Sequence, residues 1–403
     1  MSAEFLDWIG LGARLLHVVA GIAWIGASFY FVWLDNSLRT PPPHKADAGV
    51  AGDLWAIHGG GIYEVAKYRL APPAMPDTLH WFKWEAYTTW LSGTLVLALM
   101  YWLEAELYLL GGPWIDSPTI AVLASAGLLA GTLACYEIAL RSPLREDGRR
   151  FAVFVALLGV ALAWLSYQLF APRAAWLHTG AALATIMAAN VFLGIIPAQK
   201  RFVAAVAAGQ TPDASVAALA KLRSTHNNYL TLPVVLAMIS NHYPALYAHP
   251  RGWLLLVGLA LSLAWLRHFF NLRHRGIVSP MIPVTSLAAI AAVFAFAQYE
   301  PATEEVAAAD ADTGDAAVAL LDDAGAMALV AAHCANCHAE KPSQPGFVAP
   351  PGGHRFETID ELRDKAALAA TSVDTRYMPL GNLTGLTDGE RAMLVAWLEN
   401  LAP

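Results

Sequence analysis

The chain has 403 residues, of which 57% are hydrophobic and only 14% charged, with a formal net charge of −7 and a mean hydropathy of +0.46. Soluble domains carry about 25% charged and 45–50% apolar residues, so this composition excludes a disordered chain and points to a polytopic membrane protein. Three cysteines are too few for a disulfide scaffold, and the net negative charge offers no basis for binding nucleic acid.

Apolar stretches long enough to cross a ~30 Å hydrocarbon layer, roughly 20 residues each, fall at about Phe5–Leu34, Trp81–Leu103, Pro118–Leu140, Phe151–Phe170, Ala174–Ile196, Tyr229–Asn241, Trp253–Phe270 and Pro280–Gln298. About eight spans are therefore expected. The sixth is adequate only if His226 and Asn227 lie inside its helix. The first is too long for a cleaved signal peptide and reads as a retained anchor. Basic residues alternate between loops. Arg39, Lys45, Lys67 and Arg69 precede span 2; Arg141, Arg145, Arg149 and Arg150 follow span 3; Lys200, Arg201, Lys221 and Arg223 follow span 5; Arg273 and Arg275 follow span 7. By the positive-inside rule both termini lie outside, with the C-terminal part periplasmic or its equivalent. From Pro301 on there are 6 basic against 16 acidic residues, and before it 19 against 16, which marks a domain boundary. The Ala-, Asp- and Glu-rich stretch over 300–320 reads as a solvated acidic linker.

The C-terminal part contains Cys334-Ala-Asn-Cys337-His338. Two thiols three positions apart can form thioethers to one haem while the adjacent His338 ligates its iron. Met378-Pro379, forty residues on, supplies a loop methionine as the other axial ligand, ahead of His333 and His354; Met327 and Met393 read as core residues. Haem c is thus the expected covalent cofactor. Cys135, within span 3, reads as a buried apolar residue. The expected fold is all-α: a polytopic helical domain over 1–299, the linker over 300–320, and a class I-like cytochrome c domain over 321–403.

Ionisable groups inside a bilayer are costly and mark sites. His17 has Ala13, Arg14, Ala20 and Gly21 on its helix face, and His178 has Ala174, Ala175, Ala181 and Ala182. Small collars of this kind admit a flat porphyrin, so the two histidines are a candidate facing pair for a haem b, with His242 as substitute partner; close helix packing is the alternative. A second polar group gathers towards the inner face: His80, Glu85, Glu137, Asn190, His226, Asn227, Asn228, Arg267, His268 and Asn271. It could line a cavity for a planar anion, or be ordinary helix-end residues. The stretch Trp55-Ala-Ile-His58-Gly-Gly-Gly-Ile-Tyr63 reads either as a backbone that approaches a ligand closely or as a flexible turn.

His17-Val-Val-Ala-Gly-Ile-Ala-Trp-Ile-Gly26, the Trp55–Tyr63 stretch, His226-Asn-Asn-Tyr-Leu-Thr-Leu-Pro233 and Ser240-Asn-His-Tyr-Pro244 resemble the bacterial membrane-bound urate oxidases (urate hydroxylases), over essentially the whole chain. The resemblance implies an eight-helix domain fused to a cytochrome c. It further implies oxidation of urate to 5-hydroxyisourate, with electrons passed to the cytochrome c and then to a cytochrome c oxidase or soluble cytochrome c, without peroxide. His80, His226 or Glu85 is then a candidate base, with Asn227, Arg267 and His58 as further catalytic candidates. If urate binds on the outer side, His178, His242 and His249 become the site. The alternative function is a membrane-anchored electron carrier for a terminal oxidase or quinol dehydrogenase complex.

Overall fold

The computed structural model describes residues 3–273, 276–298, 321–344, 350–374, 376–382 and 384–401; the expected linker over 300–320 lies outside them. Long helices occupy the eight expected stretches. They are α1 (Ala3–Ser37), α2 (Trp84–Leu97), α3 (Pro118–Arg141), α4 (Gly148–Leu169), α5 (Pro172–Ala189) with its continuation α6 (Ile196–Ala207), α7 (Ala214–Ile239), α8 (Gly252–Arg273) and α9 (Met281–Gln298). Six of these helical stretches are long and apolar enough to cross a membrane, and α2 and α7 are the two that are not. Helix α2 is interrupted after Leu97 by the π-turn Ala98–Trp102. Helix α7 is 26 residues long and contains His226 and Asn227, but it also holds Lys221, Arg223 and Asn228, which lower its hydropathy.

The body is built inside out relative to a soluble protein. Leu15, Ile22, Leu123, Leu157 and Leu287 are more than half exposed, while Ser125, Glu137, His178, Asn190 and Arg223 are buried. Apolar stripes facing outward along successive helices have no solvent-exposed counterpart of that size in soluble monomers and match a lipid environment. Cys135 sits on this outward surface of α3, which corrects its expected burial. Helices α1 and α2 pack antiparallel: His17 meets Thr89, and fourteen residues on, Phe31 meets Phe82 with ring centres 4.9 Å apart.

The all-α expectation is corrected at one place. Strands β1 (Val50–His58) and β2 (Gly61–Tyr68) form an antiparallel hairpin in which His58 pairs with Gly61. The two residues between them, Gly59 and Gly60, have φ of +59° and +82°. That is the conformation of a two-residue hairpin turn, which matches strand twist and which only glycine adopts freely. The glycine run is therefore a tight turn rather than a flexible one.

Residues 321–401 add a separate helical cluster of α10 (Asp323–His333), α11 (Ala335–His338), α12 (Ile359–Arg363), α13 (Ala366–Asp374) and α14 (Asp388–Leu401). Its core is formed by Ala326, Val330, Leu362, Ala370, Leu394 and Leu398. Local signals set its helix starts. Asp322 accepts from the Gly325 amide, and Thr358 with Glu361 forms a reciprocal capping box. The cluster meets the end of the helical body where α5 begins, with Tyr377 against Tyr247 at 6.2 Å between ring centres.

Candidate functional site

At the end of the bundle far from residues 321–401, the expected polar group resolves into two assemblies. In the first, Arg223 Nη1 and Nη2 donate to Glu137 Oε1 at 2.5 Å and Oε2 at 2.9 Å, and Nη1 also donates to Asn190 Oδ1 at 2.8 Å. Asn190 Nδ2 donates to the Tyr136 hydroxyl at 3.1 Å and to Asn227 Oδ1 at 2.9 Å. The Tyr136 hydroxyl bonds His226 Nδ1 at 2.7 Å, and the imidazole stacks on Phe151 at 4.7 Å. Two sequence devices make room. Helix α5 ends in the π-turn Asn190–Ile195, which re-aims Asn190 into the bundle. A Cβ at Gly194, in the same turn, would overlap the Arg223 side chain. Glu137, Asn190, His226 and Asn227 were expected together; Tyr136 and Arg223 were not. Arg223 had read as a loop cation, yet an acid in the middle of an apolar helix calls for a buried base.

The second assembly centres on Arg267, which is only 5% exposed. Its Nε donates to Asn228 Oδ1 at 2.5 Å, and its guanidinium lies over the Phe29 ring at 4.6 Å and the Phe270 ring at 5.7 Å. Among the described residues its Nη2 has no partner, and neither has Nδ2 of Asn271 or Oε2 of Glu85, all three atoms being buried. Unpaired buried polar atoms cost about 1–3 kcal/mol each, more when charged, so Nη2 of Arg267 and Nδ2 of Asn271, four residues apart on α8, together mark a candidate ligand site. His268 is held by the Tyr229 hydroxyl at 2.6 Å. Glu85 stands in the first turn of α2.

His58 and His80 are exposed, His58 at the hairpin turn and His80 edge-on to Phe82; neither is brought to the two assemblies. His242 is also exposed. His249 braces a loop, accepting from the Arg251 amide at 2.9 Å and bonding Ala297 O at 3.1 Å. His17 and His178 have different partners. His17 Nδ1 bonds Thr89 O at 2.9 Å and Ser92 Oγ at 3.3 Å, and a Cβ at Gly93 would lie 2.7 Å from its ring. His178 is fully buried, with Nδ1 on Ala174 O and Nε2 on Ser125 Oγ, both at 2.7 Å, and Phe170 lies 4.4 Å from the ring. With both nitrogens of His178 engaged and its face covered, the pair does not fit an iron porphyrin in this arrangement. It fits helix packing, with α1 closing on α2 through His17 and α5 on α3 through His178.

In the C-terminal cluster, Cys334, Cys337, His338 and Met378 line one cavity of about 430 Å³, within the usual range of about 300–1,000 Å³ for ligand sites. Its floor is apolar, with Val330, Leu362, Leu386 and Leu394. Both thiols are free. Burial pushes the Cys334 thiol up to about 11 and raises that of Cys337, and it holds His338 below its ordinary value, favouring neutral imidazole. His338 Nδ1 donates to His354 O at 2.9 Å, which leaves Nε2 as the free ligand atom, the orientation a metal-binding histidine needs. Phe356 stacks on the ring at 4.7 Å. The Met378 loop is tied down at both backbone atoms: its amide donates to Ser372 O at 2.8 Å, and its carbonyl accepts from Arg391 Nη1 at 2.8 Å. This donor set and cavity fit a covalently attached haem, which Cys334 and Cys337 would attach and His338 and Met378 would hold.

No curated protein and no solved structure matches the chain. Residues 3–298, the whole helical body with its hairpin, match the family described as "Urate oxidase N-terminal". The buried guanidinium, carboxamides and aromatic faces described above all lie inside that match, and the chain belongs to the urate oxidase N-terminal family.

Proposed function

We propose that the chain oxidises urate within the membrane to 5-hydroxyisourate and passes the electrons to a haem c held by Cys334, Cys337, His338 and Met378. From there they leave to a respiratory acceptor, a cytochrome c oxidase or a soluble cytochrome c. The observation that carries this reading is the incompletely paired Arg267 assembly, in a chain of the urate oxidase N-terminal family. Urate at neutral pH is a flat monoanion edged with carbonyl and N–H groups. Arg267 offers it charge and a free Nη2, Asn271 offers a free amide, and Phe29 and Phe270 supply apolar ring faces. Charge-assisted hydrogen bonds of this kind are about twice as strong as neutral ones.

The balance is that urate monoanion and water give neutral 5-hydroxyisourate, two electrons and one proton. The new bond joins the water oxygen to the ring carbon at position 5. Glu85, with Oε2 unpaired, is the group that takes the proton; general-base assistance of this kind contributes about 10²–10⁴-fold. When bound, the haem that Cys334, Cys337, His338 and Met378 would hold would supply one-electron acceptance, so two transfers would complete each turnover without peroxide forming at the urate site. The Arg223 network, in which only Nε of Arg223 lacks a partner among the described residues, acts as the wall that holds α3, α5 and α7 in place.

The test is anaerobic addition of urate to oxidised, purified protein. The expected result is a reduced c-type spectrum, with two haems reduced per urate consumed. R267Q should lose urate-driven reduction while dithionite still reduces the haem, and E85Q should slow it by about 100-fold or more. A wild-type haem that stays oxidised with urate present refutes the coupling.

A further inference from the structure

The cavity that holds Cys334, Cys337 and His338 is not closed by the C-terminal cluster alone. Leu107, Tyr108 and Arg173 of the helical body complete its wall. Arg173 stands in the first turn of α5 and is held there from two sides. Its Nε donates to Asn241 Oδ1 at 3.2 Å, and its guanidinium lies over the Tyr108 ring at 5.5 Å. No hydrogen bond to Nη1 or Nη2 of Arg173 comes from the described residues.

The charge around this cavity runs against the surface that carries it. From Pro301 on the chain has 16 acidic and 6 basic residues, yet none of the described residues lining the cavity is acidic, and the fixed cations there are Arg173 and Lys365. A pair of cations without a carboxylate calls for an anionic ligand. A haem carries two carboxylates, so the missing negative charge is one the prosthetic group itself supplies.

We propose that Arg173 is a positioning residue for the haem: a cation lent by the helical body to a haem propionate, which fastens the two domains together through the cofactor. This rests on the haem c reading given above. The inference has a redox consequence. A fixed positive charge beside the haem favours its reduced form, so the domain that oxidises substrate also raises the potential of its own electron acceptor. Tyr247 and Tyr377, with ring centres 6.2 Å apart, seal the same contact.

The experiment is a spectroelectrochemical titration of the haem in the full-length protein, for wild type, R173Q, R173K and N241L. R173Q should shift the ratio of oxidised to reduced haem at a fixed potential about tenfold towards oxidised, which for a one-electron couple is about 59 mV. R173K, which keeps the charge but not the fork, should stay within about threefold of wild type. N241L, which keeps Arg173 but removes the hydrogen bond that orients its Nε, should shift in the same direction as R173Q and by less. If R173Q does not load haem, N241L carries the test alone. Potentials indistinguishable from wild type in R173Q, or in N241L when R173Q is empty, overturn the proposal. A wild-type protein whose pyridine haemochrome contains no c-type haem overturns the haem reading and this inference with it, whereas a c-type haemochrome with an indifferent potential overturns this inference alone.

Discussion

Removing the Arg223 guanidinium should destabilise the helical body by about 3–5 kcal/mol, the usual cost of leaving one member of a buried ion pair alone. Arg223 is 4% exposed and Glu137 5%, and two hydrogen bonds of 2.5 and 2.9 Å join them. In R223A the Glu137 carboxylate keeps only Arg141 at 2.9 Å, whose side chain is 67% exposed; an exposed partner of that kind contributes about 0–1 kcal/mol. Asn190 loses a donor as well, so the figure is set by desolvation rather than by one contact. At roughly 2–4 °C per kcal/mol for a domain of a few hundred residues, the melting temperature should fall by about 6–20 °C. The assay is thermal unfolding of detergent-solubilised protein followed by circular dichroism, with R223K and the double variant E137M/R223M beside R223A. R223K should lose part of the stability, since lysine cannot make the fork. The double variant should recover most of it, because no lone charge remains. An R223A protein within about 1 kcal/mol of wild type, or a double variant no better than the single one, refutes the reasoning.

G194A should reproduce part of the R223A loss, about 1–3 kcal/mol from overpacking, because its new methyl occupies the space of the Arg223 side chain; the same melting assay reads it. G93A should loosen the contact of α1 with α2 by a similar amount, since the added carbon meets the His17 ring. In haem-free protein Cys334 should resist iodoacetamide at pH 8 and react as the pH nears its value of about 11; equal rates with a free thiol peptide at pH 8 would refute the burial argument. The sign follows from a raised pKa: the neutral thiol's contribution to stability is complete below the ordinary value of 9.0 and is lost as pH rises through about 11. R391Q should weaken Met378 ligation without detaching the haem, because Arg391 Nη1 holds the Met378 carbonyl at 2.8 Å; loss of the methionine–iron charge-transfer band with an intact haemochrome is the expected reading.

Much of the helical body was legible because its signals are local. Runs of apolar residues need about 20 positions to cross a bilayer, so the eight stretches stand out one at a time. Cys334, Cys337 and His338 are legible for the same reason, lying within five consecutive residues. The hairpin carried its own signal too, strand-forming residues on both sides of a two-residue Gly-Gly turn, which the many apolar helices around it obscured. Arg223 is different. Only three residues of linear sequence separate it from Asn227, yet it lies in a stretch that reads as an inner loop, so nothing nearby distinguishes a buried arginine from a loop cation. The clue was distant: Glu137, an acid inside an apolar helix, needed a base from elsewhere.

The sequence by itself determined that the chain is mostly helical and rich in long apolar helices, since this depends on composition and spacing within a short window; the division near residue 300 and haem attachment at Cys334, Cys337 and His338 are readings that the sequence proposes. Only the tertiary structure decided how the polar residues pair. It separated His17 from His178 by giving each a different neighbouring helix, joined Glu137 to Arg223 across 86 residues of chain, left Arg267 Nη2 unpaired among the described residues, and brought Arg173, with Leu107 and Tyr108, to the wall of a cavity whose remaining residues begin more than 150 positions after it. A buried charge is decided by which groups reach it through space, and in a bundle of long helices its partners are usually far away along the chain.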